Sequence, residues 1–310
     1  MLPTHNDVHV DGLLTNLLVG YKNPEAIYDQ ILPIVNTYGV ESGKYGIFDQ
    51  DDQFRNTAAV IPPGGNYPVD GYRVSTDTWS TEEIGQATEL PDRTFNNATG
   101  AFQKALRLSK AQFCAKRVEL KREIDTAAGV FVADVWGTTD TTATDWDDYV
   151  NSNPILDISL ASYTIEAATG VTPNVLVLGN EVWKDLRNNP VMLDFLGGNE
   201  RALVTIDDAK AALEMPKLLV GKTIQNTANE NQDAVYANIW GQNALLLYVE
   251  GSPTPDPYTA SAGYIFQSEA RKIWGWRFPD RKTQFFAATV MQDHKITATN
   301  MGYIFTSIIT

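Results

Sequence analysis

Cysteine occurs once in the 310 residues, at Cys114. One thiol can build neither an intrachain disulfide framework nor a thiolate metal cluster within one chain, and it suits a reducing compartment. Histidine is nearly as scarce, with only His5, His9 and His294. A Ser-His-Asp triad would have to draw on one of these three, and no GxSxG elbow is present to expose a nucleophile. GxGxxG and GxxxxGK[ST] are also missing, which removes sequence support for nucleotide binding. No apolar run approaches the roughly 18 residues of a membrane span. The opening MLPTHNDVHVDGLLTNLLVGY lacks the basic start and long apolar core of a secretory signal. Cations are few: 24 Lys and Arg face 38 Asp and Glu, for a net charge of -14. Because affinity for duplex DNA is mostly phosphate neutralisation, this balance argues against a direct DNA-gripping surface.

What is present is the material of a large folded protein, 43% hydrophobic and 20% charged, enough for one large core or two modest ones. Residues 1–42 mix short apolar pieces with Pro3, Gly12, Gly20, Pro24, Pro33 and Gly39. They are too short for a core of their own and are expected to lie as an arm on something else. One brief helix is expected there, with Asn23 as N-cap and Pro24 at its first position. Residues 44–95 are polar and extended, and VIPPGGNYPVDGYRV forbids a helix. Alternation around Tyr72 to Ser75 and from Trp79 to Ile84 predicts a two-stranded ribbon. Such a long coreless segment needs a neighbour to rest on.

One long helix is predicted over 110–136. Ser109 is its expected N-cap, Gln112 completes a capping box, and Gly137 follows its end. Phe113, Leu120, Ile124, Ala127, Phe131 and Val135 recur at helical steps as its apolar face. Lys116, Glu119, Lys121, Arg122 and Glu123 are expected on a solvated or interfacial face. An α/β rhythm follows: a helix over 155–169 stopped by Gly170 and Pro173, a strand over 175–178, a helix from Asn180 to Leu186, a helix over 205–213 and a strand over 218–220. Two further strands, 234–239 and 244–249, are joined at Trp240-Gly241-Gln242-Asn243. Residues 263–310 are strand-rich and are expected to pack with the long helix, closing a second domain from discontinuous pieces.

Candidate chemistry is thin. His5, Asp7, His9 and Asp11 in HNDVHVD offer nitrogen and oxygen donors, but no surrounding pattern fixes a geometry. Asp49, Asp51 and Asp52 look like the start of a calcium loop without its Gly and terminal Glu. Cys114 has no activating partner and is taken as a packing residue. Arg271, Lys272, Arg277, Arg281 and Lys282, interleaved with Trp274, Trp276 and Phe278, form the one basic-aromatic cluster. In so acidic a chain these residues are expected to pair with acidic groups such as Glu82, Glu83 or Asp92 of a neighbour. Neither a cofactor nor a catalytic residue is assigned, and the chain is expected not to be an enzyme.

NVLVLGNEVWKDLRNNP (174–190) and KLLVGKTIQNTANENQDAVYANIWGQNALLLYV (217–249) resemble the axial domain of tailed-phage major capsid proteins. The order of elements, and less specifically GKYGIF and DQFRN at the root of the extended stretch, is similar to the HK97-like fold, an α+β class. The resemblance implies an N-terminal arm (1–42), an extended loop (43–97) and a peripheral domain (98–149, resuming at 256–310). The spine helix would occupy about 110–136 and the axial domain 150–255. It implies pentamers and hexamers of the chain forming an icosahedral shell that encloses double-stranded DNA without sequence-specific binding. The shell would be a virion capsid assembled in the host cytoplasm, with no membrane. Contacts between subunits are expected at Tyr67, Tyr72, Trp79, Arg271, Arg277 and Arg281. Some relatives cross-link chains through a Lys on the extended loop, but no Lys lies between Gly46 and Arg93. Non-covalent contacts or a cement protein are expected instead. An arm confined to 1–42 leaves no room for a long scaffolding segment, so a separate scaffolding protein is implied, with a portal. The alternatives are an encapsulin-like cargo shell and a metal-dependent enzyme using the N-terminal histidines.

Overall fold

The computed structural model describes residues 9–10, 26–47, 55–71, 75–98, 100–140, 144–195, 204–251 and 261–309. In chain order the strands are β1 (His9–Val10), β2 (Ile34–Asn36), β3 (Ser42–Ile47), β4 (Ser75–Ser80), β5 (Glu82–Pro91), β6 (Thr138–Asp140), β7 (Val175–Gly179), β8 (Lys217–Gly221), β9 (Ile224–Asn226), β10 (Tyr236–Asn238), β11 (Ala244–Leu247), β12 (Gly263–Phe278), β13 (Thr283–Ile296) and β14 (Gly302–Phe305). The helices are α1 (Tyr28–Ile31), α2 (Asp92–Asn96), α3 (Gly100–Val130), α4 (Pro154–Thr169), α5 (Asn180–Leu186), α6 (Pro190–Phe195) and α7 (Ile206–Ala212).

Two five-stranded sheets organise them. In the first, β13 runs antiparallel between β12 and β5, and the free edge of β12 takes β1 at one end and β2 at the other. The long helix α3 lies on this sheet. Its Ala111, Cys114, Ala115 and Val118 meet Leu90, Phe286, Ala288 and Val290, and small residues at steps of three and four let the helix approach closely. The second sheet has the order β6-β14-β11-β7-β8. Its strand β7, VLVLG, paired on both sides by β11 and β8, is buried throughout because both faces are covered. Leu176 and Leu178 enter a core with α4, α5 and α7, whereas Val175 and Val177 enter a second core with Ala127 and Val130 of α3, Phe131 just past its end, and Ile27 and Ile31 of the arm.

Local chemistry explains the boundaries. The Asn153 side chain accepts from the Leu156 amide at 3.1 Å, Pro154 opens α4, and Gly170 closes it at φ 72°. Thr205 and Asp208 form the capping box of α7. Helix α3 runs over 100–130 rather than 110–136. GAFQKALRLS is rich in strong helix formers, and Ser109 is no cap: its hydroxyl donates to the Leu106 carbonyl at 2.9 Å. At the other end Val132 turns extended, and the Trp136 indole N–H donates to the Val130 carbonyl at 2.7 Å. The 31 residues span about 46 Å.

Other expectations change as well. Helix α1 begins at Tyr28; Asn23 and Pro24 lie outside the described residues. Residues 26–36 rest on their own chain, with Tyr28, Ile31 and Leu32 buried and β2 paired to β12. The ribbon pairs β4 with β3; Tyr72, Arg73 and Val74 lie outside the described residues. Strand β5 joins the first sheet, and β10 pairs with β9 while β11 lies in the second sheet. Strand β14 also enters the second sheet, away from β12 and β13. Helix α6 appears where no element was expected.

Candidate functional site

A dense polar arrangement is buried where α3 meets the arm, strands β12 and β13 of the first sheet, and the loops that carry Thr223 and Trp240. Glu119, Arg122 and Glu123, expected on a solvated face, are each no more than 2% exposed. The Glu123 carboxylate accepts from the backbone amides of Ile27 (3.1 Å) and Tyr28 (3.1 Å), from Trp240 Nε1 (2.7 Å) and from the Thr223 hydroxyl (3.3 Å). Burial pushes its pKa up, and these donors pull it back down. Glu119 accepts from the Tyr28 hydroxyl and from Arg271. Arg122 donates to Gln292 Oε1 at 2.7 Å and to the Tyr28 hydroxyl at 2.8 Å, with its guanidinium 4.2 Å from the Tyr28 ring centre. Thr126 donates to the Arg122 carbonyl, which leaves its oxygen to accept from His294 Nε2 at 2.8 Å. Burial and then the Arg122 charge hold the His294 pKa down at about 4. Among the described residues Gln292 Nε2 is left without a partner, while the other groups bond to one another and fasten the arm, α3, the first sheet and the Thr223 and Trp240 loops together.

The ribbon has a fastening of its own. Trp79 stacks on Phe266 of β12 at 5.1 Å and 6°, and Thr81 and Ser268 share a hydroxyl contact at 2.9 Å. Gly43 is required opposite this ring, since a Cβ there would lie 2.8 Å from Trp79 Cζ2. Between the strands, residues 55–71 contain no helix or strand and are almost wholly exposed, with Val60, Tyr67 and Val69 at least 80% accessible. An open groove of about 940 Å³ runs beside the ribbon root, lined by Ser80, Glu82, Leu120, Ile124, Asp293 and His294 among others.

The six predicted contact residues are dispersed by this geometry. Tyr67 stands exposed on the segment between β3 and β4, and Tyr72 lies outside the described residues. Trp79 is buried against its own β12, and Arg271 is tied to Glu119. Arg277 pairs with Asp92 of the same chain rather than requiring one from a neighbour, although its side chain keeps most of its exposure. Arg281 lies 5.9 Å from the Phe278 ring centre near the β12–β13 turn. Of the candidate chemical groups, Cys114 is a packing residue: its thiol donates to the Phe286 carbonyl at 3.4 Å, and burial pushes its pKa up to about 11. His5, Asp7, Asp11, Asp49, Asp51, Asp52 and the His9 side chain lie outside the described residues. Among the described residues no group of three potential metal ligands converges, and no helix is long and apolar enough to cross a membrane.

No family model matches the sequence. The chain is 24% identical over 314 residues to the major capsid protein of Burkholderia phage BcepMu, covering 96% of each. It is 24% identical over 245 residues to that of Pseudomonas phage JBD67, covering 77% of each. A phage-related protein from Bordetella bronchiseptica RB50 superposes with a TM-score of 0.75 at 19% identity, over 96% of this chain and 97% of the other. The capsid of cyanophage P-SCSP1u superposes at 0.57 with 10% identity, over 92% and 89%. This is the HK97-like capsid fold.

An HK97-like subunit is expected to display surfaces rather than a cleft, and exposed segment 55–71 agrees with that. The sequence reading missed the buried charges of α3. Tyr28, Arg271, Gln292 and Trp240, which partner them, are distant in sequence and invisible to helical periodicity. It also missed the outer face of α4, where Leu156, Leu160 and Tyr163 are exposed although Ile158, Ala161 and Ile165 already supply a buried face.

Proposed function

We infer that this chain is the major capsid subunit of a tailed phage, copies of which assemble as pentamers and hexamers into an icosahedral shell around double-stranded DNA. The observation that carries this is the end-to-end likeness, in sequence to phage major capsid proteins and in fold to phage capsids. An acidic chain encloses DNA rather than gripping it. Both curated relatives are phage capsid proteins, which disfavours the cargo-shell alternative.

In this reading residues 1–42 are the arm, 43–97 the extended loop, 98–149 with 256–310 the peripheral domain and 150–255 the axial domain. Three exchanges qualify these boundaries: β5 from the loop region completes the first sheet, and β6 from residues 98–149 and β14 from the C-terminal region enter the second. The exposed Val60, Tyr67 and Val69 lie on a neighbouring subunit, where apolar burial at about 25 cal/mol per Å² stabilises a segment that has no core. Arg277 and Arg281 face acidic groups across a subunit boundary. A separate scaffolding protein, a portal and a cement protein are the partners, and assembly takes place in the host cytoplasm. Negative-stain electron microscopy of the expressed chain, alone and with a candidate scaffolding protein, tests the reading. Capsomer rings or closed shells are expected; only monomers and dimers under every condition would overturn it.

A further inference from the structure

Among the described residues, two surfaces with exposed large apolar side chains flank the second sheet. The first is the outer face of α4. Ile158, Ala161 and Ile165 enter the core, while Leu156, Leu160 and Tyr163 are 52%, 56% and 68% exposed. Spaced by four and three, they form one stripe. The other exposed positions of the helix are Ser159, Thr164 and Ala167, so none of its exposed positions is charged. A helix that faces water normally carries its charges there.

The second surface is the β9–β10 ribbon. It has three residues per strand, and a lone two-stranded hairpin is marginal in water. Tyr236 pairs with Asn226 and Asn238 with Ile224. Ile224 and Tyr236 therefore share one face, where they are 53% and 69% exposed, with Asn226 and Asn238 beside them; Asn238 donates to Glu181 Oε1 at 2.6 Å.

These surfaces belong to different halves of the sheet. Helix α4 lies over β11 and β14, whereas the ribbon follows directly from edge strand β8. Rings are built by heterologous contacts, in which unlike patches of successive copies meet. Copies with a net charge of -14 repel one another, so a close contact is best placed on a face free of acidic groups, as the outer face of α4 is.

We propose that the Leu156–Leu160–Tyr163 stripe of one copy receives the Ile224–Tyr236 face of the next copy's ribbon. The proposal rests on the shell-subunit reading and specifies one contact within it. A few large side chains a side fall short of the roughly 800 Å² per partner of a lasting pair. The contact therefore sets ring geometry together with others and does not hold a dimer alone.

A chain carrying Leu160→Cys and Tyr236→Cys, assembled and then oxidised, tests it; the native Cys114 is buried. On a non-reducing denaturing gel the double variant should give a ladder of covalent multimers that is absent from either single variant. Particles that form but yield only monomer bands overturn the contact and leave the shell reading standing. Failure of the unmodified chain to form particles under any condition overturns that reading, and the contact with it. Should the double cysteine variant not assemble, charge substitution decides. Leu160→Asp and Tyr236→Lys should each lower particle yield by about tenfold, and their combination should recover most of it. Two defects that simply accumulate overturn the proposal.

Discussion

Glu123→Ala would remove the one acceptor that joins the arm, the long helix and the Thr223 and Trp240 loops. Three buried donors, the amides of Ile27 and Tyr28 and the Trp240 indole N–H, would lose their partner. Each orphaned buried donor costs about 1–3 kcal/mol, so the substitution should cost about 3–9 kcal/mol. A single domain has only about 5–15 kcal/mol in total, so this is enough to unseat residues 26–32 or unfold the chain. Glu123→Gln keeps the shape and one acceptor oxygen, but its NH2 must face a donor, and it should cost about 1–3 kcal/mol. Denaturant unfolding of the unassembled subunit, followed by circular dichroism, measures the global loss. Hydrogen exchange at Ile27 and Tyr28 measures the local one, and those amides should lose protection in both variants. A Glu123→Ala protein within about 0.5 kcal/mol of the parent, with unchanged exchange at these amides, would refute the assignment of this carboxylate as the fastening point.

His294 titrates near 4 in the fold and near 6.5 when unfolded. Between those values the unfolded chain binds a proton that the folded chain excludes. Stability should therefore rise from pH 4 to 6.5 by at most about 3 kcal/mol and level off above; His294→Gln should flatten thermal melts recorded from pH 4.5 to 7. Gly302 backs onto the Trp136 ring, and a Cβ there would lie 2.0 Å from Cε3. Gly302→Ala should cost about 1–3 kcal/mol by overpacking, and a melting temperature equal to the parent's would contradict that. Arg277→Glu combined with Arg281→Glu should leave a folded subunit that fails to assemble, with micrographs of normal particles as the contrary result.

Much of the second sheet was legible in the sequence because its signals are local. VLVLG is an apolar run of strand length, Asn153-Pro154 and Gly170 bracket a helix, and Thr205 with Asp208 makes a capping box. The start of α3 was misplaced because Ser109 and Gln112 mimic a cap, whereas the ten residues before them are simply good helix formers. The buried face of α3 was misjudged for a different reason. Helical spacing finds a stripe of large apolar residues, but the stripe that meets the sheet is built from Ala111, Cys114 and Ala115, and it continues through charged residues neutralised by distant partners. Pairings such as β14 with β11 depend on contacts far apart in sequence, which no local pattern encodes. The predicted contact residues were chosen as aromatics and cations on extended segments. That criterion cannot tell Tyr67, which is free, from Trp79, which serves its own chain.

Strand β14 carries a consequence for biosynthesis. It lies inside the second sheet, between β6 and β11, and Phe305, Ile308 and Ile309 complete the core beneath α4. These residues follow every other strand of the sheet in chain order. Until residues 302–309 have been made, β11 presents an open edge and the core beneath α4 lacks three of its side chains, so the sheet cannot close before they emerge. The layer bearing the proposed ring contact is therefore unfinished until β14 is in place, and until then the open edge of β11 is an aggregation hazard rather than an assembly surface.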